Sequence, residues 1–430
     1  MTDKKLLLTF SEEAFPANYW FNGQSIDRFR KAPNWIKVLL PKVPYMPLKV
    51  ALNLPNKSNK FLILFEVGTV GTPLWWSGLL HTEYKDSGVV PNVVEMLPEK
   101  LKEQLRDRTA IVHYEQSWEG FPMIGSVNYF KKFYKNFAKF QLPPSQFILT
   151  TSNLLESALH DEWCNQNSIT DRMTIVSANF FAALSAETTF FGKGKHDINF
   201  DEQLQYKLSN YIVLFNCLNR VMRDHRICFI AMLNHYNLLE SNKVSHNKFP
   251  DHFNTEIKIQ NFRHHNAYEN NNVLDVNTKL PLILDSTEFE VNKAQNFFKE
   301  VYLDSWVTVV TETLATETNT MFFSEKIYKP MRARHPFILL GIRGSLRELK
   351  RLGFKTFDNW WDESYDDIEN ITDRMEAICK LLLSLQIKTK DEWIAIYKDM
   401  QTVLEHNYNH LHSQDWVKPL SSYVAGINNE

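Results

Sequence analysis

Two apolar runs, 307–311 and 336–340, bracket a polar stretch that contains one helix-forming segment, and this order limits how the chain can fold. The first run enters a glycine-free loop crowded with threonine and asparagine. A short segment carrying Ser324-Glu325-Lys326 follows, and the second run closes on Gly341. The pattern predicts strand, loop, helix, strand. In open α/β sheets ligands sit beyond the carboxyl ends of the strands, so Glu312, the loop with Asn319, and the start of the Glu325 helix are expected to face one crevice. A helix start offers free N–H groups and a partial positive charge, to which Lys326 adds a full one. Together they read as a seat for a phosphorylated ligand.

The rest of the chain keeps the same alternation. Runs at 6–10, 35–40, 49–54, 61–67, 110–114, 147–151 and 173–178 predict strands, and 98–106 and 127–140 predict helices. Such alternation argues for a mostly parallel sheet covered by helices. The rhythm is lost over 185–207, around Gly192-Lys193-Gly194-Lys195, and the domain boundary is placed there. A second alternating unit begins with a strand at 211–215 and a helix at 219–239. It passes an irregular Asn/His/Lys-rich excursion at 241–280, resumes strands at 282–284 and 306–310, and ends in helices over 367–409. At 430 residues the chain has room for two domains, expected at 1–185 and 208–410 with a tail at 411–430.

Charge and cysteine usage narrow the class. A formal net charge of -2 gives no global drive toward nucleic acid or an anionic surface. The apolar run near the start is too short for a signal-peptide core and no stretch is long enough for a membrane span, so a cytoplasmic protein is expected. Cys164, Cys217, Cys228 and Cys379 are scattered without a metal or disulfide spacing and are expected reduced and buried.

Arg220, Arg223 and Arg226 follow the strand at 211–215. The planar fork of arginine suits phosphate oxygens, and at a strand end the three read as a diphosphate clamp. Glu325 and Lys326 are adjacent, diverge by about 100 degrees on a helix and need not pair. Lys326 is read as facing the phosphates of a bound ligand, while Glu325 and Glu312 are read as acceptors for its hydroxyls. Asp362 and Asp366 are read as helix caps or loop supports rather than metal ligands. His406, His410 and His412, with His264-His265, are read as exposed imidazoles rather than ligands. The lysines and aromatics of 130–140 suggest a solvated basic face over a buried aromatic stripe, in preference to a membrane or single-strand surface.

The order Glu312, Ser324-Glu325-Lys326-Ile327, then a strand ending in glycine resembles the donor-binding signature of α-1,3-fucosyltransferases. Gly353-Phe354-Lys355-Thr356-Phe357 with Asp362-Glu363-Ser364-Tyr365-Asp366 is similar to fucosyltransferase-like proteins of phages and large DNA viruses, as is the Asn-Arg…Arg…His-Arg order from Asn219. The chain departs from the signature at Thr313, Ser324 and Lys329-Pro330, so the resemblance implies the nucleotide-sugar class rather than one sugar. It implies an α/β fold of two Rossmann-like domains, GT-B-like, with the active site in the cleft between them. On that footing 1–185 is the acceptor side and 208–410 binds the donor, with Arg223 or Arg226, and Arg220 beside them, on the phosphates. The implied activity is transfer of a sugar from a nucleotide-sugar co-substrate to a hydroxyl of a glycan or of a modified nucleobase in DNA, inverting and metal-independent. Its general base comes from the first domain, where Glu119 is preferred, Glu115 is the alternative and Glu66 the reserve. The rival class is a catalytically silent nucleotide- or glycan-binding protein.

Overall fold

The computed structural model describes residues 7–10, 45–47, 61–66, 94, 97, 99–116, 120–125, 128–186, 197–219, 223–246, 282, 297–316 and 318–429. Contacts divide the chain into two units. One holds Met1–Phe180, Thr318–Phe322 and Asp415–Glu430, and the other Phe181–Glu317 and Phe323–Gln414.

In the first unit, Leu7–Phe10 (β1), Tyr45–Pro47 (β2), Phe61–Glu66 (β3), Ala110–Gln116 (β4), Phe147–Thr151 (β5) and Thr174–Ser177 (β6) form one sheet in the order β2-β1-β3-β4-β5-β6. Every neighbouring pair is parallel. Strands therefore form within the apolar runs predicted at 6–10, 61–67, 110–114, 147–151 and 173–178, whereas the runs at 35–40 and 49–54 lie outside the described residues. β2 is only three residues long, too short to carry a recognisable alternation. β5 is buried along its whole length, as expected of a parallel strand covered on both faces.

The helix Tyr129–Phe140 shows how the basic-aromatic stretch is used. Asn128 caps it by accepting from the Lys131 N–H, and Gln141 ends it in the left-handed region at φ 54. Phe130, Phe133 and Phe137 are buried, and Phe137 meets Phe147 of β5 at 4.3 Å between ring centroids. Lys131, Lys135 and Lys139 remain exposed. The sequence end expected as a tail forms the helix Lys418–Asn429.

In the second unit, Val213–Leu218 (β7), Lys243–Ser245 (β8), Ser305–Thr311 (β9) and Phe337–Leu340 (β10) form a sheet in the order β10-β9-β7-β8, again all parallel. Two details differ from the sequence reading. The stretch expected to be irregular from 241 opens with an edge strand, β8, and the helix expected from 219 starts at Asp224. At the end of β7, Asn219 donates to the Cys217 sulfur at 3.1 Å and accepts from the Thr311 hydroxyl. β7 leads to β8 on one side and β9 lies on its other side, so the winding reverses between β7 and β9. Two parallel α/β units are the fold class that the alternation predicts. No helix among the described residues is long and apolar enough to cross a membrane.

A buried carboxylate fastens two loops of the first unit. Both oxygens of Glu156 accept from the Met123 N–H at 3.1 Å, and one accepts from the Asn153 amide at 2.7 Å. The Asn153 side chain in turn accepts from the Met321 N–H at 2.9 Å. Burial pushes the Glu156 carboxyl up to about 7. A carboxyl raised on folding favours the folded state most below its unfolded value, and that advantage fades as pH rises through the folded value. Glu156→Gln should therefore gain on the natural protein by roughly 3 kcal/mol between pH 4.5 and pH 8. Urea midpoints of both proteins at several pH values check this, and a difference that does not move with pH would contradict it.

Candidate functional site

The carboxyl ends of β7, β9 and β10 share one edge because the strands are parallel, and the expected donor residues of the second unit gather there. Glu312, just past β9, is fully buried. Its carboxylate accepts from the Ser324 hydroxyl at 2.6 Å, the Ser324 N–H at 3.2 Å and the Thr313 N–H at 3.0 Å. Ser324 is the N-cap of the helix Glu325–Arg332 and its oxygen also faces the Lys326 N–H at 3.4 Å. Glu312 thus pins the helix start to the end of β9. Expected to accept ligand hydroxyls, it instead has its oxygens occupied by the protein.

The main chain at the same point is held from the other side. Arg226 donates to the carbonyls of Thr311 at 2.9 Å and Glu312 at 3.0 Å, and the His225 Nε2 bonds the Glu312 carbonyl at 2.9 Å. Burial, aided by the Arg226 charge, holds His225 down to about 3, so the neutral ring donates that bond. Burial and neighbouring Arg223 lower Arg226 to about 10, which leaves it charged at neutral pH. Burial raises the Glu312 carboxyl, while Lys326 and the Ser324 bond work against that rise.

Lys326 folds back along the helix end. Its ammonium donates to Glu325 at 3.0 Å, the Ser324 hydroxyl at 3.2 Å and the Thr313 hydroxyl at 3.3 Å. The two side chains diverge at the backbone, yet the flexible lysine stem closes the gap. Burial alone would raise the Glu325 carboxyl, but Lys326 and Lys329 bring it below its ordinary value, so it is ionised. Arg223 caps the Asp224–His235 helix in extended conformation. It is half-buried, with no hydrogen bond or ion pair for its side chain among the described residues. Arg223, Arg226 and Lys326 all act on His225, so they belong to one positive cluster.

The other sequence candidates fall elsewhere. Arg220 and Glu119 lie outside the described residues. Glu115 is in β4, with its backbone in register with Glu66 and Thr150, and its side chain is not among those described. Asn319 belongs to the first unit, at φ 57, where its amide donates to the Ile124 carbonyl at 3.1 Å and its carbonyl accepts from Asn153.

The acidic stretch has structural partners. Asp366 accepts from the Leu346 and Arg347 N–H groups at the start of the Ser345–Arg351 helix, and Glu363 holds the Thr356 hydroxyl and the Phe357 N–H. His406 and His410 bond the carbonyls of Gly353 and Leu352. Among the described residues no group of three His, Cys, Asp or Glu stands together as metal ligands would.

Sequence reasoning missed three contributors. Asn219 and His225 sit beside the arginines but act on backbone partners across the sheet, which no local pattern reveals. Arg374 lies in the first turns of the Ile371–Gln386 helix and is 2% exposed. It donates only a long bond, 3.4 Å, to the Ala315 carbonyl, while Nε and Nη1 have no hydrogen-bond partner among the described residues.

No protein-family model matches the chain, and no curated protein matches it. Among solved structures it is similar to a trehalose-phosphate synthase from Burkholderia vietnamiensis, with 12% identity, 92% of this chain and 77% of the other covered, and a TM-score of 0.44. It is similar to a glycosyltransferase from Rickettsia africae at 12% identity, with both chains fully covered and a TM-score of 0.39. An α1,3-fucosyltransferase gives 10% identity, coverage of 94% and 93%, and a TM-score of 0.36. Likeness this distant fixes neither a family nor an activity, so the functional reading stands on the residues themselves.

The contacts separate two arginines that look alike in sequence. Arg226→Ala removes the bonds to the Thr311 and Glu312 carbonyls, of which Glu312 keeps its His225 bond, and should cost about 1–3 kcal/mol of stability. Arg223→Ala should stay within about 0.5 kcal/mol. Chemical denaturation of the two variants tests the split, and equal losses would contradict it.

Proposed function

We propose that the chain is a GT-B-like glycosyltransferase that moves a sugar from a nucleotide-sugar donor to an acceptor hydroxyl. The observation that carries this reading is the cluster at the β7/β9 reversal. There Lys326, a helix start held by Glu312, and a half-buried Arg223 with no side-chain partner among the described residues converge where open α/β sheets bind phosphorylated ligands. The expected domain roles, with the donor in 208–410, and the fucosyltransferase-like signature are part of the same reading.

In this reaction the acceptor oxygen attacks the anomeric carbon as the bond to the diphosphate breaks. The acceptor proton passes to a carboxylate of the N-terminal half, Glu119 or Glu115, and the configuration inverts. Lys326 and Arg223 take up the charge that develops on the leaving diphosphate, so no metal ion is needed for that task. Lys326 reaches the phosphate by exchanging one of its present partners, and Glu325, released from the ion pair, accepts ribose or sugar hydroxyls. Glu312, Ser324 and Arg226 act by position. Arg220 and Asn319 remain candidates for further donor contacts. A glycan or a modified nucleobase in DNA is the acceptor, and a cytoplasmic setting suits four cysteines that are buried and free.

A screen of GDP-, UDP-, CMP- and dTDP-sugars in EDTA, read by release of free nucleotide, tests the assignment. One donor should turn over, and Lys326→Ala and Arg223→Ala should each weaken its binding by about tenfold or more, the scale of one lost charged hydrogen bond. Tight binding with no release in the presence of glycan and DNA acceptors would favour the silent binding protein. No binding of any nucleotide-sugar would overturn the donor site.

A further inference from the structure

The opposite end of the same strands carries a second feature that the donor site does not use. Tyr211 leads into β7 and Trp306 is near the start of β9. Around these amino-terminal ends lies a cavity of about 580 Å³, within the ~300–1,000 Å³ usual for small-ligand pockets. Its walls include Tyr211, Trp306, Trp393, Gln386, Lys388 and Lys390. Trp306 and Trp393 stack at 5.7 Å and 8°, which makes a rigid aromatic floor.

One wall of the cavity carries an exposed aromatic ring. Four large hydrophobic side chains are exposed among the described residues, Leu155, Leu208, Tyr211 and Ile387, and of these Tyr211, 85% exposed, lines the cavity. A single exposed apolar residue needs no explanation, but a ring exposed on a cavity wall offers a flat contact to a ligand.

The chemistry of the walls selects the ligand. Tyr211 offers a flat ring that can lie against the C–H face of a sugar, and Gln386 supplies an exposed amide for hydroxyls, whereas Asn242 is bonded to Leu238, Ser241 and Phe215 and the Asn210 amide donates to the Tyr206 carbonyl. Among the described residues no acidic side chain lines the cavity, and the nearby Glu392 feels the Lys388 charge. The Lys388 ammonium has no hydrogen bond or ion pair among the described residues, whereas Lys390 is held by the Leu208 and Asn210 carbonyls. A wholly apolar ligand would leave the Gln386 amide and the Lys388 ammonium without partners. A nucleic-acid strand calls for a longer basic track than two lysines.

We propose that this cavity is a second glycan site, distinct from the donor seat, that binds an oligosaccharide bearing carboxylates. Its occupancy does not depend on the donor assignment. As an acceptor anchor it rests on the glycosyltransferase reading, and it would hold an acidic sugar chain away from the reacting end.

Calorimetric titration of the full chain with tetrasaccharides of hyaluronan, polymannuronate and polygalacturonate, and with uncharged chitotetraose, tests the site. At least one acidic tetrasaccharide should bind about tenfold or more tightly than chitotetraose. Tyr211→Ala, a change at an exposed side chain, and Lys388→Glu should each remove that preference or the binding itself, while GDP and UDP titrations of the same variants stay unchanged. Binding that survives both variants, equal affinity for the neutral sugar, or no binding of any acidic tetrasaccharide would overturn the proposal. Loss of nucleotide binding in Lys326→Ala without loss of oligosaccharide binding would show the two sites to be separate.

Discussion

The buried carboxylate of Glu312 organises the second unit's proposed binding edge. Burial raises this carboxyl, and the fold opposes the rise with three N–H or O–H donors from Ser324 and Thr313 and with the nearby positive charge of Lys326. One consequence is geometric. The helix start can only sit where Ser324 meets Glu312, and Glu312 can only sit where Arg226 and His225 hold its carbonyl. A second is electrostatic, because three cations are kept close around two carboxylates.

Lys326 already has a carboxylate partner, and this shapes how a phosphate would bind. Glu325 occupies the ammonium, so an incoming diphosphate competes with it and gains less than it would at an empty cation. The displaced Glu325 becomes available to hydroxyls on the same ligand. A ligand with both phosphates and hydroxyls therefore gains at both points, whereas inorganic phosphate gains at only one. The far end of the same strands has the opposite character: exposed Tyr211, the Gln386 amide and Lys388 at a cavity floored by two indoles.

Much of the fold was legible because parallel strands bury both faces and so appear as unbroken apolar runs, as at 147–151 and 307–311. β2 and β8 were not legible: each is three residues long, and each gains its strand character from a neighbour rather than from its own pattern. The site was legible in its local parts. Ser324-Glu325-Lys326 at a helix start follows from capping preference and charge. What sequence could not distinguish was Arg226 from Arg223, because one folds inward to backbone carbonyls and the other does not, and that depends on where β9 ends in space. The same holds for Glu312, whose carboxylate looks free in sequence and is occupied in the fold. Arg374 gave no signal, since its neighbours Ala315 and Asp366 come from distant parts of the chain.

Amide hydrogen exchange with and without a nucleoside diphosphate tests the central claim most directly. GDP and UDP are added separately to the full chain at saturating concentration. The account predicts slowed exchange at 223–228 and 324–328, around the β7/β9 reversal, with the segments at 211–214 and 386–393 unchanged. Protection confined to the Tyr211–Lys388 cavity, or no protection by either nucleotide, would contradict a donor seat built on Arg223 and Lys326.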